Sequence, residues 1–281
     1  MLVQDPSISP RGTSTEFMAK KPKLGQNFLV HPGAAVRIAD ALGDLSQQTV
    51  VEVGPGRGAI THHLAARARR LVAVELDPDL AAELRGAFAD KPSVEIVQHD
   101  ILTLELSSLL LVPGEKLMII GNLPYYITSD ILLRLFDQAA ILSRVVLMVQ
   151  REVADRVAAN PGSRDYGLLS TTAQLYARVE KLFTLPPDAF TPPPDVYSTV
   201  FRMSMQPRFA ELGVEADEFI PLLRQCFAQK RKTLANNLKA VGYDHETILK
   251  ALADSNIDPQ ARAEALPLET LAHLHRSLQT Q

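Results

Sequence analysis

The chain contains one cysteine, Cys226, and no tryptophan. A single thiol excludes an intrachain disulfide framework and suits a reducing compartment, so a cytoplasmic location is expected. Cys226 falls in a helical pattern, where it reads as a half-buried small side chain rather than a nucleophile. Long apolar runs are also missing. None approaches the roughly 18 residues a membrane span needs, so no membrane association is expected. The first residues show no apolar stretch behind a basic patch and read as a polar, flexible lead over 1–19, not a secretory signal. An excess of positive charge is lacking as well: 29 Lys and Arg face 32 Asp and Glu, a net charge of -3. That argues against a uniformly basic nucleic-acid platform and leaves only local clusters. One cluster is Lys20, Lys21 and Lys23; another is Arg224, Lys230, Arg231, Lys232 and Lys239, with no acidic residue between its ends. No metal site is expected. His62 and His63 are adjacent in a helical stretch, where neighbours do not face each other, and His31 and His99 have no ligand partner in sight.

The remaining composition is that of a globular protein, 46% hydrophobic and 22% charged over 281 residues, enough for one substantial core and a smaller second unit. Short apolar strands read at 49–53, 71–75, 94–97, 117–121 and 144–149, mostly separated by helical stretches. Continuous rather than alternating apolar strands, interleaved with helices, indicate an α/β parallel sheet covered on both faces. Segments 177–183 and 197–203 form a hairpin-like addition, and the proline-rich LPPDAFTPPPD between them reads as a stiff loop. The helix after the first strand uses Ile60, Leu64 and Ala68; beyond residue 204, 217–240, 245–254 and 259–278 all read as helices. The expected organisation is the lead, a Rossmann-like domain over 20–203 and a small all-helical domain over 204–281.

Residues 52–58 read Glu-Val-Gly-Pro-Gly-Arg-Gly between a strand and a helix. Gly54 and Gly56 permit unusual backbone angles and close approach of a ligand. The spacing is not that of a dinucleotide fingerprint, and no Lys-Ser/Thr follows as in a phosphate loop. Glu75 ends the next strand, 19 residues beyond Gly56, where a carboxylate can accept two ribose hydroxyls. Asp100 follows the third strand and can accept a bond from an adenine amino group. Together these describe a nucleoside-cofactor pocket. Asp77 reads instead as a helix start before Pro78.

The segment Gly121-Asn122-Leu123-Pro124-Tyr125-Tyr126 follows another strand. The Asn122 side chain and the Leu123 carbonyl before Pro124 are acceptors, and Tyr125 is a flat aromatic face. Two acceptors can hold the hydrogens of an adenine amino group and favour a pyramidal nitrogen whose lone pair meets a methyl sulfonium in line. The aromatic face compensates for stacking lost when the base leaves its strand.

These motifs, with Gly25-Gln26-Asn27-Phe28-Leu29, His99-Asp100 and Phe190-Thr191-Pro192-Pro193-Pro194-Asp195-Val196-Tyr197-Ser198, resemble the ribosomal RNA adenine dimethyltransferases of the KsgA/Dim type over about residues 20–275. The resemblance implies a Rossmann-like S-adenosylmethionine-dependent methyltransferase domain with a small helical C-terminal domain. It implies dimethylation at N6 of two adjacent adenines near the 3' end of 16S ribosomal RNA, late in assembly of an immature small subunit, by a monomeric enzyme needing no metal. Carried onto this chain, Gln26, Asn27, Leu29, Leu76 and Ile101 fall on the cofactor side with Gly54, Gly56, Glu75, Asp100 and Asn122. Leu123, Pro124 and Tyr125 join Asn122 at the target base, and Phe190 becomes a second aromatic wall. Large-subunit 23S adenine methyltransferases that confer macrolide resistance share most of these motifs. Residues 227–238 and 256–266 resemble the small-subunit group and favour it. A non-catalytic ribosome-assembly factor is the alternative of another class.

Overall fold

The computed structural model describes residues 26–280. Nine strands appear in it. They are β1 (Phe28–Leu29), β2 (Thr49–Val53), β3 (Arg70–Glu75), β4 (Val94–Gln98), β5 (Leu117–Asn122), β6 (Leu142–Gln150), β7 (Ala177–Leu185), β8 (Phe190–Thr191) and β9 (Ser198–Met205). Seven form one sheet in the order β4-β3-β2-β5-β6-β9-β7. The first five are parallel; β9 pairs antiparallel with both β6 and β7, forming the expected hairpin-like addition. The chain steps outward one way from β2 to β4 and the other way from β5 to β6. The crevice beyond the carboxyl ends of β2 and β5 is therefore a topological switch point, the usual ligand site of an open α/β sheet.

The central strands β2, β3, β5 and β6 are largely apolar because both faces are covered, while the flanking β4 and β7 carry charged and exposed residues. Val51, Val53, Val72, Val74, Ile119, Val145 and Leu147 belong to one buried cluster, and Val50, Leu71, Met118, Ile120, Val146 and Met148 to another. That is the two-residue alternation of a strand expressed on both sides of a sheet. Helix Pro32–Asp40 covers the second face through Ala34, Ala35, Ile38 and Ala39. Helix Thr128–Asp137 covers the first through Ile131, Leu132, Leu135 and Phe136. Helix starts follow local chemistry. The Asp77 carboxylate accepts the Asp79 and Leu80 N–H groups ahead of helix Pro78–Ala87, and proline at a first helical turn loses no hydrogen bond there.

The first cluster continues from the sheet into the C-terminal helices through Tyr176, Phe219, Leu222, Leu238, Leu252 and Leu271. Three helical expectations need correction. The stretch 217–240 is two helices, Ala216–Cys226 and Leu234–Ala240. Thr233 caps the second by accepting the Asn236 N–H, and the buried Asn237 amide donates to the Cys226 carbonyl at 2.7 Å, satisfying the end of the first. The stretch 259–278 is helical only over Leu268–Gln279, preceded by a single turn at Ala263–Ala265 and by Pro267. The helix after the glycine loop is short, Thr61–Ala65, and ends before Ala68. Within Ala216–Cys226, Cys226 is fully buried, and burial pushes its thiol up to about 12, which leaves it protonated and inert. Among the described residues no helix is long and apolar enough to cross a membrane, and no cluster of His, Cys, Asp and Glu could hold a metal ion. The lead and the lysines at 20, 21 and 23 lie outside the described residues.

Candidate active site

A cavity opens at the switch point. Its lining includes every residue expected on the cofactor side: Gln26, Asn27, Leu29, Gly54, Gly56, Glu75, Leu76, Asp100, Ile101 and Asn122. Leu123, Pro124 and Tyr125 line it as well.

Glycine is required in the loop after β2. Gly54, Gly56 and Gly58 have φ of +63°, +58° and +81°, left-handed values that side chains with a Cβ resist. At Gly56 a Cβ would also meet the Phe28 ring at 3.1 Å. Gly121 is constrained differently: a Cβ there would lie 2.7 Å from the Val53 carbonyl, so its absence lets β5 close against β2. Glu75, 2% exposed, ties the loop to the next strand. One carboxylate oxygen accepts the Gly56 N–H and the other the Asp77 N–H, each at 3.0 Å. Asp100 accepts the Leu102 N–H at 2.9 Å, which turns the chain after β4.

The segment expected to hold the target base is fixed by equally specific bonds. The Asn122 amide nitrogen donates to the Asn27 carbonyl at 3.0 Å. The Leu123 N–H donates to the Met148 carbonyl at 3.0 Å, and the Thr128 hydroxyl to the Pro124 carbonyl at 3.0 Å. The half-buried Tyr125 shares a 3.0 Å hydrogen bond between its hydroxyl and that of Ser198, and burial raises its phenol above the usual range.

Phe190 is not brought to the cavity. Its side chain is 2% exposed and packs with Leu29, Ala189 and Leu185 in the cluster beneath the sheet. The reason is the small ladder in which β8 pairs with β1, setting Phe190 opposite Leu29. The proline-rich loop therefore clamps the 28–29 segment instead of presenting an aromatic wall.

Of the lining residues not anticipated as site residues, Phe28 and Glu52 stand out. Phe28 lines the cavity, and the Arg57 guanidinium sits 4.7 Å from its ring centre, a cation–π contact across the glycine loop. Glu52, at 1% exposure, also lines the cavity. Burial pushes its carboxyl up to about 8; the Thr61 hydroxyl offsets this in part, and the charge of Glu75 adds to it. One Glu52 oxygen has no hydrogen-bond partner among the described residues. A carboxylate inside the otherwise apolar Thr49–Val53 was the sequence signal for it.

The expected RNA face is exposed at Arg224, Lys230, Arg231, Lys232 and Lys239. It is not one helical stripe. Lys230, Arg231 and Lys232 lie in the turn between two helices, and the Lys230 ammonium donates to the Arg164 carbonyl at 3.0 Å, anchoring that turn to the loop before helix Leu168–Tyr176.

The chain resembles known proteins along nearly its whole length. The family model described as ribosomal RNA adenine dimethylase matches residues 18–280. "Ribosomal RNA small subunit methyltransferase A" of Acidobacterium capsulatum is 59% identical, covering 92% of this chain and 91% of the relative. The protein of the same name from Koribacter versatilis is 54% identical, covering 92% and 95%. Among solved structures, a dimethyladenosine transferase from Plasmodium falciparum shares the fold with a TM-score of 0.76 at 24% identity, over 88% of this chain and 95% of that one. The 23S rRNA methyltransferase ErmE aligns with a TM-score of 0.69 at 26% identity, over 90% and 100%. The switch-point cavity thus lies in a Rossmann-like methyltransferase fold with helices appended, and the chain belongs to the ribosomal RNA adenine dimethylase family of S-adenosylmethionine-dependent methyltransferases.

Proposed function

We propose that this chain transfers methyl groups from S-adenosylmethionine to N6 of two adjacent adenines near the 3' end of 16S ribosomal RNA, within an immature small subunit. The product is N6,N6-dimethyladenine, made late in subunit assembly by a monomeric, cytoplasmic enzyme. The names of the relatives at 59% and 54% identity support the small subunit over the large.

The residues present fit the cofactor. The left-handed glycines leave backbone open to a ligand at the cavity floor. Glu75 would accept ribose hydroxyls and Asp100 an adenine amino group, which their shared place in the cavity lining supports. The unpartnered buried oxygen of Glu52 offers an acceptor to a cationic group. Gln26, Asn27, Leu29, Leu76 and Ile101 would enclose the rest. The bound cofactor supplies a methyl group on positively charged sulfur.

The observation that carries the reading is the Asn122–Asn27 hydrogen bond. It engages the amide nitrogen and so leaves the Asn122 carbonyl oxygen to accept from the target amino group. The Leu123 carbonyl, fixed ahead of Pro124, is the second acceptor, and the Tyr125 ring supports the base. Both acceptors orient the nitrogen lone pair and stabilise the positive charge it gains, so no strong base is needed before transfer. The exposed residues Arg224, Lys230, Arg231, Lys232 and Lys239 would contact RNA phosphates, in keeping with recognition of an assembled particle rather than free RNA.

Labelled S-adenosylmethionine supplied with undermethylated small and large subunits tests the proposal. Label in small-subunit RNA is expected; label confined to large-subunit RNA, or none with either particle, overturns it.

A further inference from the structure

Beyond the base site, the ladder between β6 and β9 continues one step past the sheet. The last paired residues are Gln150 and Ser198. The next pair outward is Arg151 and Tyr197, and the Arg151 N–H donates to the Tyr197 carbonyl at 2.9 Å. The Arg151 guanidinium carbon lies 5.2 Å from the centre of the Tyr197 ring. Ser198, 1% exposed, points inward and bonds the Tyr125 hydroxyl. Tyr197, its neighbour, is 47% exposed. An open aromatic face braced by a cation therefore stands one residue from the wall of the base site.

An aromatic ring of this size gains its stability from burial, and this one is left half in water beside Val196, which is 41% exposed. The backbone beside the ring is anchored, which lowers the ordering cost of binding. Backbone pairing holds Arg151, and the Ser198–Tyr125 bond holds the start of β9. A planar guanidinium against an aromatic face suits single-stranded nucleic acid: the ring stacks on a base, and the cation is free to approach the adjoining phosphate.

We propose that Tyr197, braced by Arg151, is a stacking platform for the unpaired nucleotide that flanks the target adenosine. This rests on the reading of the cavity as an RNA adenine site. Extracting one adenine deprives its neighbour of a stacking partner, and the platform replaces that partner. Tyr197 does not touch the reacting atoms; it is a positioning residue that acts on RNA binding.

The test uses the full chain and undermethylated small subunits, measuring particle affinity by filter binding, KM and kcat for methylation, and S-adenosylmethionine affinity. Tyr197→Ala is expected to weaken particle binding and raise KM by roughly tenfold, the scale of one lost base–aromatic stack. Its kcat at saturation and its cofactor affinity should stay within about twofold of wild type on the same argument. Tyr197→Phe should restore particle binding, because the ring and not the hydroxyl does the stacking. Equal particle affinity for wild type and Tyr197→Ala overturns the platform, as does a Tyr197→Phe variant as impaired as the alanine one. Tyr197-dependent binding without any methyl transfer by the wild type would leave the platform standing and count against the enzymatic reading instead.

Discussion

The side-chain amide of Asn122 donates to the backbone carbonyl of Asn27 at 3.0 Å, joining residues 95 positions apart. That bond couples the end of β5 to the segment that β8 clamps through β1. Both residues line the switch-point cavity. An amide so held presents one face only, which is the preorganisation that orientation-based methyl transfer requires.

Glu75 holds the glycine loop through Gly56 and Asp77, besides facing the cavity. Glu75→Ala removes the proposed ribose acceptor and two loop anchors together. Titration calorimetry should show S-adenosylmethionine affinity falling at least about tenfold, equivalent to about 1.4 kcal/mol. Unchanged affinity would remove Glu75 from the cofactor site.

Glu52 gives a pH signature. Its carboxyl is raised to about 8 in the folded chain, above the ordinary glutamate value it regains on unfolding. Between those values the folded chain keeps a proton that the unfolded chain has released. The stabilisation is complete below the ordinary carboxylate range and is lost as pH rises toward about 8, by up to about 1.4 kcal/mol per pH unit. Glu52→Gln is neutral at every pH and lacks this slope. Its Tm relative to wild type should rise steadily across that window; a difference independent of pH would show that Glu52 is not held protonated.

Phe190 is a core residue in this fold. Phe190→Ala should cost roughly 3–5 kcal/mol of stability, the range for deleting a buried phenylalanine ring. Phe190→Leu keeps most of the apolar volume and should retain methyl transfer with a smaller loss in Tm. A Phe190→Leu variant of wild-type Tm but without activity would put the ring on the substrate after all.

The turn at Lys230 and Arg231 tests the RNA face. Reversing both charges should weaken particle binding more at low than at high salt, because phosphate contacts act through counterion release. A salt-independent result would assign these residues to solvation alone.

The central strands were legible because their runs are largely apolar, which a sheet covered on both faces demands; the two-residue strands β1 and β8 were not, since they form only by pairing with each other. The glycines and carboxylates expected on the cofactor side stand at strand ends, and all of them line one cavity. The break at 227–233 was not legible. Gln229, Lys230, Arg231 and Lys232 are all good helix formers, and the break is marked by the Thr233 cap and the bond from Asn237 to the Cys226 carbonyl. Phe190 was misplaced because a proline-rich loop fixes a backbone path without revealing which side the ring takes. That side depends on pairing with Leu29, more than a hundred residues earlier.

The most direct test of the central claim is to map modified adenines in 16S ribosomal RNA after undermethylated small subunits react with wild type or Asn122→Ala. Wild type should yield two adjacent N6,N6-dimethyladenines near the 3' end. Asn122→Ala should yield them at least about a hundredfold more slowly, the scale of losing one preorganised hydrogen-bonding group at a reacting centre, while still binding S-adenosylmethionine. Methylation elsewhere, or an Asn122→Ala rate equal to that of wild type, would contradict the account.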